Sequence, residues 1–281
     1  MGGSTVPLTW HVFQSEPTPT LVDEPAPGQR HRIWPPVSST LISGHSDAVL
    51  VDAPITAAQA TALADQVAAT GKTVRTIYLT HGHCDHWISV SVLLDRFTSA
   101  RAVAVPAVVE QMRQHSTPKE LDLWHRRFPG QLADHLAVAE ELTDAVIELE
   151  GHELVPVSLG HTDMDDTTCL YVPSIDLIAA GDAVYNDVFL QLRESSPQTR
   201  QEWISALDKI DSLRPRAVVA GHKRPGNGDD PRDVEETRQY IRVFDSILQD
   251  AGTAREVYDM MISRYPGRLY PDALWASASR S

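Results

Sequence analysis

A cluster of metal-binding side chains lies within residues 81–86, which consist of four ligand residues spaced by glycine and cysteine. The ligand residues are His81, His83, Asp85 and His86. Neutral imidazoles and carboxylates are what zinc and similar borderline cations bind. In an extended segment, residues two apart point the same way, so His81 and His83 can reach one ion. Asp85 and His86 follow as the loop turns and can face a second ion.

Further ligand residues stand at later strand-like ends, each directly after a glycine. They are His161, Asp182 and His222. Because one loop cannot supply every ligand, we expect these residues to complete the site, with the Asp182 carboxylate bridging two cations. Two ions about 3.5–4 Å apart can hold a shared hydroxide at neutral pH, which attacks an electrophilic carbon or phosphorus. The pattern therefore indicates metal-dependent hydrolysis without a serine or cysteine nucleophile.

The elements that must position these residues can be predicted from apolar runs and capping signals. An apolar run predicts a buried strand over residues 74–80, directly before the histidine loop. Thr56 and Gln59 are spaced as a capping box, and Gly71 stands at the C′ position, so we predict a helix from Thr56 to Ala69. We predict further strands over 41–44, 47–52, 101–105, 145–149, 152–159, 167–172, 176–180 and 216–220. We predict further helices over 87–97, 197–213, 230–249, 253–264 and 271–279, and a helical segment over 106–139.

Strands followed by helices, twice over, predict an α/β protein built as an αβ/βα four-layer sandwich. Residues 14–36 carry many prolines and little periodicity. We therefore interpret residues 1–39 as an N-terminal arm packed on the domain, and residues 40–281 as the domain with its C-terminal helices. If the protein forms a homodimer, the N-terminal arm and the 106–139 segment are the candidate interfaces.

Composition narrows the function classes. The 281 residues are 42% hydrophobic, and 38 acidic against 24 basic residues give a net charge of −14. Without a run of lysines and arginines, a nucleic-acid partner is not expected. Two cysteines cannot build a disulfide framework. Neither a signal peptide nor an apolar run of membrane-spanning length is visible, so we expect a cytoplasmic enzyme that acts on a small-molecule substrate away from membranes.

From about residue 40 to 225 the chain resembles the metallo-β-lactamase superfamily. The resemblance rests on the His-x-His-x-Asp-His motif, followed in order by Gly-His, Gly-Asp and Gly-His. It implies a first metal held by His81, His83 and His161, a second held by Asp85, His86 and His222, and Asp182 bridging the two. It also implies that an aspartate at the end of an early strand supports the ligand loop, and Asp52 matches that position.

The branch of the superfamily is indicated by Asp182 and Tyr185. Common antibiotic-cleaving zinc enzymes carry cysteine where Asp182 stands, so the chain looks more like the lactonase, glyoxalase II and general hydrolase branches. Tyr185 matches a tyrosine of quorum-quenching lactonases whose hydroxyl contacts substrate. The residues after His161 depart from the Gly-His-x-Pro-Gly-His of those lactonases. We expect two divalent ions, zinc foremost, hydrolysis of a small ester, lactone or amide-type bond, and catalytic roles for Asp85, Asp182 and Tyr185.

Other functions stay open at this point. A glyoxalase II-like thioesterase fits if residues 231–281 are the helical C-terminal part of such an enzyme. A phosphodiesterase of this fold would need basic channel residues and usually an inserted domain, and an iron redox protein typically carries glutamate where His83 stands. A non-catalytic scaffold would keep the ligand residues and bind no metal.

Two groups of charged residues near the ligands also have alternative roles. Lys223 and Arg224 follow the last ligand and could clamp a substrate carboxylate or form a solvated basic turn. Asp163, Asp165 and Asp166 cluster beside His161, where one could orient a ligand imidazole. The alternative is that they form a solvated or helix-capping loop.

Overall fold

The structure is a computed structural model that describes residues 6–279. The strands are β1 (Thr9–Gln14), β2 (Thr18–Pro19), β3 (Ile33–Trp34), β4 (Ser38–Ser43), β5 (Asp47–Val51), β6 (Thr73–Tyr78), β7 (Arg101–Ala104), β8 (Glu140–Glu141), β9 (Ile147–Leu149), β10 (His152–Gly160), β11 (Thr167–Val172), β12 (Leu177–Ala179), β13 (Tyr185–Asn186), β14 (Ala217–Val219) and β15 (His222–Lys223). The helices are α1 (Ala57–Ala69), α2 (Val90–Arg96), α3 (Pro106–His115), α4 (Pro118–Arg127), α5 (Pro197–Ser212), α6 (Arg232–Asp250), α7 (Ala254–Arg264) and α8 (Pro271–Ala278).

Two main sheets pack face to face, with helices on both outer faces. Within residues 6–279 their strand orders are β1-β4-β5-β6-β7-β8 and β14-β12-β11-β10-β9. Because neighbouring residues of a strand point to opposite faces, Val49 and Val51 enter the core between the sheets, while Ala48 and Leu50 face the core under α1 to α4. Helices α5 to α8 cover the second sheet over a third core. The predicted αβ/βα four-layer sandwich is confirmed.

The N-terminal residues contribute a strand that the sequence analysis did not predict. Strand β1 pairs antiparallel with β4 at the edge of the first sheet, with Thr9 opposite Ser43 and Gln14 opposite Ser38. The chain then crosses the molecule, and the short ribbon of β2 and β3 places Pro19 opposite Ile33. This ribbon brings the end of the proline-rich segment to the candidate site.

The accuracy of the predicted helix bounds depends on whether the sequence carries a local capping signal. Helix α1 has the predicted capping box at Thr56 and Gln59, and Gly71 has the predicted left-handed conformation, with φ of 70°. The predicted helix over 106–139 is wrong beyond Arg127, because Pro129 and the following glycine interrupt it, and residues 128–139 form turns, bends and irregular chain. In the described part of the chain, none of the helices has the length and apolar character that a membrane crossing requires.

Candidate metal centre

The candidate metal centre lies where the carboxyl ends of two pairs of parallel strands meet. Strands β5 and β6 run parallel in the first sheet, and β12 and β14 run parallel in the second. Asp52 follows β5 and the histidine loop follows β6, while Asp182 follows β12 and His222 follows β14. The carboxyl ends of parallel strands are the usual place for ligand sites, and here both sheets contribute to one.

Hydrogen bonds between the two sheets and within the second sheet hold these strand ends together. The Thr80 carbonyl accepts from the Thr168 amide at 3.0 Å and from the Thr168 hydroxyl at 2.7 Å. The Gly221 amide donates to the Gly181 carbonyl at 2.8 Å. A Cβ at Gly221 would lie 2.1 Å from Asp182 Oδ1, so only glycine lets this strand end approach the carboxylate. The glycine before His222 is thus a steric requirement of the site.

Side chains able to bind metal form close groups, within each of which the ligand atoms lie within 4.8 Å of one another. One group is the predicted second ligand set, Asp85, His86 and His222. Another consists of His81, His83, Asp163 and Asp182. A third consists of Asp52, His81 and His86. The fold therefore brings together, from distant parts of the chain, most of the residues proposed from the sequence.

Asp163, rather than His161, is grouped with the first two histidines. Its Oδ2 lies 2.6 Å from His83 Nδ1 and 3.9 Å from His81 Nε2, and its side chain is fully buried. His161 is also buried, with Nδ1 2.7 Å from Asp165 Oδ1, so its ligand role remains a prediction. The sequence analysis considered Asp163 only as support for the loop. A usable signal was its spacing, two residues after His161, which repeats that of His81 and His83.

Oxygen atoms orient the ligand imidazoles from behind. His222 Nδ1 lies 2.7 Å from the Pro36 carbonyl, and His81 Nδ1 lies 2.9 Å from Thr80 Oγ1. A carbonyl can only accept, so His222 donates from Nδ1–H, and the Thr80 hydroxyl proton goes to Asp52, so His81 donates as well. In the neutral form of each ring, Nε2 then carries the lone pair that a metal ligand needs.

Asp52 is the support of the histidine loop that the resemblance predicted. One oxygen accepts from the Thr80 amide at 2.9 Å, and the other lies 2.8 Å from the Thr80 hydroxyl and 3.0 Å from His86 Nδ1. The Asp52 backbone has φ of 60°, a left-handed conformation that is unfavourable for most side chains but more accessible to aspartate and asparagine. This strained corner turns the carboxylate under the loop.

Several buried polar atoms of the cluster have no hydrogen-bond partner within residues 6–279. They are the Nε2 atoms of His81, His86 and His161, Asp163 Oδ2 and Asp182 Oδ1. His86 Nε2 lies 3.1 Å from Asp182 Oδ1 and His83 Nδ1 lies 2.6 Å from Asp163 Oδ2, yet neither pair has hydrogen-bond geometry. Buried polar atoms are almost always paired, so unpaired nitrogen and carboxylate atoms that converge fit a divalent cation.

The pKa values show how strongly these groups interact. Burial lowers the pKa of His86, but the Asp182 and Asp85 carboxylates outweigh burial and raise it well above its usual range. Burial is likewise outweighed at His222, where Asp182 raises the pKa to about 10. The two imidazoles in turn hold the pKa of Asp182 well below its usual range, against the effect of burial. A cation entering this cluster must therefore displace protons from imidazoles.

Tyr185 lies beside the two metal groups. The short parallel pairing of β13 with β15 sets Tyr185 opposite His222. Its hydroxyl donates to Asp182 Oδ2 at 2.8 Å, and its ring lines the pocket above the ligands. Burial, together with the Asp182 charge, raises the pKa of Tyr185 well above its usual range, so the phenol keeps its proton and remains a donor.

The N-terminal arm closes one side of the same pocket, which the sequence analysis missed. Trp34 Nε1 donates to Asp85 Oδ2 at 2.9 Å, and Arg32 and Arg127 line the wall beside it. Lys223, which the sequence suggested as a clamp for substrate, instead pairs with Asp229 at 2.6 Å in another cleft. Nothing in the sequence of the arm marks Trp34 as a neighbour of a ligand.

Comparisons with known proteins identify the family and agree with the fold. The model of the metallo-beta-lactamase superfamily matches residues 32–222, and the chain belongs to that superfamily. A metallo-beta-lactamase from Pontibacter korlensis has a similar structure, with a TM-score of 0.60 and 14% identity over 86% of this chain and 97% of that one. A metallo-beta-lactamase family protein from Thermus thermophilus gives a TM-score of 0.60 and 20% identity over 95% and 92%. These likenesses show the fold alone, and a comparison with curated proteins found no match.

Proposed function

We propose that this chain is a metal-dependent hydrolase that cleaves an ester, lactone or amide-type bond in a small molecule. The observation that carries the proposal is the set of buried imidazole and carboxylate atoms that face one another without partners among residues 6–279. The oxygens behind the imidazoles fix ring orientation, which is typical of metal sites and not required for a packed core.

Two divalent ions, zinc foremost, fit the donor set, because imidazoles with carboxylates suit zinc. The proposed ligands are His81, His83, Asp85, His86, His161, Asp163, Asp182 and His222. Such ions, when bound, polarise a carbonyl and make water an effective nucleophile near neutral pH.

The side chains around the ligands would orient the reactants and handle protons. Asp182 lies between the two ligand groups and would accept the proton of the attacking water. Tyr185 can donate to a developing oxyanion or to the leaving oxygen once its hydrogen bond to Asp182 opens. Asp85 is held by the Trp34 indole and would keep its orientation through the reaction. The aromatic wall of Trp34, Trp124 and Phe189 suits a small, partly apolar substrate.

The test is metal content by mass spectrometry on protein purified without chelator, together with turnover of a lactone, an ester, a thioester and a phosphodiester. The proposal predicts about two ions per chain and turnover of the lactone or ester that ceases on chelation and returns with zinc. Thioester turnover alone would favour the glyoxalase II-like alternative, and phosphodiester turnover alone would favour a phosphodiesterase. Metal-free protein without turnover of any substrate would overturn the proposal in favour of a scaffold.

A further inference from the structure

Arg32 is a buried cation in the wall of the pocket that contains the candidate metal centre. The residue is 7% exposed and lines the same pocket as Asp85 and Asp182. Its guanidinium stacks over the Trp34 ring at 5.4 Å, and within the chain from residue 6 to 279 this group forms no hydrogen bond or ion pair. Buried charges are normally paired directly, whereas the Asp23 and Asp272 charges act on Arg32 without an ion pair to either residue.

The nearby carboxylates are engaged elsewhere. Asp23 forms a two-pronged pair with Arg127, with Nε to Oδ2 and Nη2 to Oδ1 both at 3.0 Å. Asp272 accepts from the Ala26 amide at 2.7 Å and from the Ile33 amide at 3.0 Å. These bonds fix the arm on both sides of Arg32 while leaving the guanidinium fork available toward the pocket.

One indole ring connects Arg32 to the candidate metal centre. Arg32 and Arg127 each lie 5.4 Å from the Trp34 ring centroid, and the nitrogen of the same ring donates to Asp85 at 2.9 Å. A group bound by Arg32 therefore lies in the pocket that Asp85 and Asp182 also line.

Resting on the proposed function, we propose that Arg32 binds a carboxylate of the substrate, so that the enzyme hydrolyses small esters or lactones that carry a carboxylate near the bond to be cleaved. The planar guanidinium fork matches a carboxylate with two parallel hydrogen bonds. A singly charged carboxylate fits better than a phosphate dianion, because Glu194 also lines this pocket and the chain carries a net charge of −14.

The test compares a carboxylate-bearing γ-butyrolactone with the corresponding carboxamide, using wild-type protein, Arg32→Gln, Arg32→Lys and Arg30→Gln. Arg30 is exposed on the same arm, so Arg30→Gln removes the same charge away from the pocket. We expect Arg32→Gln to raise KM for the carboxylate substrate by about 10- to 100-fold with little change in kcat, as loss of hydrogen bonds to a charged group implies. The KM of Arg32→Lys should lie between those of wild type and Arg32→Gln, and the KM of Arg30→Gln should match that of wild type.

A binding experiment separates the role of Arg32 from the hydrolase proposal. It uses tryptophan fluorescence of zinc-loaded protein to measure binding of two uncleavable analogues, cyclopentanone carboxylate and cyclopentanone carboxamide. If neither lactone is hydrolysed but Arg32→Gln weakens binding of the carboxylate analogue alone, the choice of scissile bond fails and the role of Arg32 stands. If both lactones are hydrolysed equally and Arg32→Gln affects neither, the role of Arg32 is overturned while the hydrolase proposal stands. A stronger response to a phosphate-bearing analogue than to the carboxylate would also overturn it.

Discussion

The histidine loop over residues 81–86 and the arm over residues 26–34 both border the pocket, but they are encoded differently. The loop follows a buried strand directly, and its spacing predicts which side chains would face an ion. The arm has little regular structure and is held by Asp272, which follows it by more than two hundred residues. The residues for the reaction are thus recognisable from local sequence in this chain, whereas the wall that would select a substrate depends on tertiary contacts.

The largest expected effect is at Asp182, which joins the two ligand groups. Asp182→Asn should abolish stable metal binding and lower turnover by more than the roughly 10–100-fold typical of residues that only support ligands. Metal content and kcat of the purified variant measure this. Asp166→Asn is the control, because Asp166 is exposed and its φ of 54° suits asparagine. A metal-loaded, active Asp182→Asn variant would contradict the assigned site.

The second test decides whether Asp163 or His161 completes the first ligand group with His81 and His83. If Asp163 is a ligand, Asp163→Asn should lower the affinity for the first ion by at least about tenfold and spare the second. Competition with a chromogenic chelator measures both affinities. His161→Gln is the parallel variant, since its Nε2 is buried without a partner in the described residues. Loss of metal in His161→Gln, with Asp163→Asn unchanged, would return the first set to the one predicted from the sequence.

The third test removes the support under the loop. Asp52→Asn should lower metal affinity by roughly 10–100-fold, because the amide cannot accept from both Thr80 and His86 as the carboxylate does. Asparagine tolerates the positive φ at this position, so the fold should be kept. The same chelator competition gives the affinity, and circular dichroism checks the fold. Unchanged affinity would mean that the loop orients its ligands without Asp52.

The fourth test weakens the attachment of the arm without changing any proposed metal ligand. In Asp272→Asn one carboxylate oxygen is replaced by an NH2 group that faces a backbone N–H, so we expect a loss of about 1–3 kcal/mol in the free energy of unfolding. KM for the preferred substrate should rise while metal content stays the same. Asp259→Asn on the exposed face of α7 is the control. A loss of metal in Asp272→Asn would show that metal binding by the histidine loop depends on the arm.

The smallest expected effect on metal binding and turnover is at Asp233, which lies outside both regions. Burial raises the pKa of Asp233 to about 7, whereas in an unfolded chain an aspartate titrates near 3.9. Protonated Asp233 therefore favours the folded state below about pH 4, and this contribution is lost as the pH rises toward 7. Asp233→Asn keeps an acceptor for the Asn186 amide, so its stability relative to wild type should increase between about pH 4 and 7 and then level off. Urea unfolding across this range measures the difference, and a flat difference would contradict the raised pKa.

The sequence was most informative where a local signal was sufficient. Thr56 and Gln59 predicted helix α1, and the histidine spacing predicted the loop. Strand β1 was missed, because its place depends on the free edge of β4 and not on its own pattern. Asp163 was underestimated, because a bend after His161 turns its side chain inward. Trp34 and Arg32 could not be recognised, since each gains its role from a partner that is distant in the chain.

The dependence of the arm on Asp272 gives the protein an order of assembly during synthesis. His222, the last of the proposed ligands, leaves the ribosome well before Asp272, and segments of a growing chain begin to fold as they emerge. The proposed ligand residues can therefore gather while the arm still lacks its hydrogen bonds to Asp272, so that the pocket would be open to metal on that side. Only when α8 is made does the wall that carries Arg32 settle over the pocket.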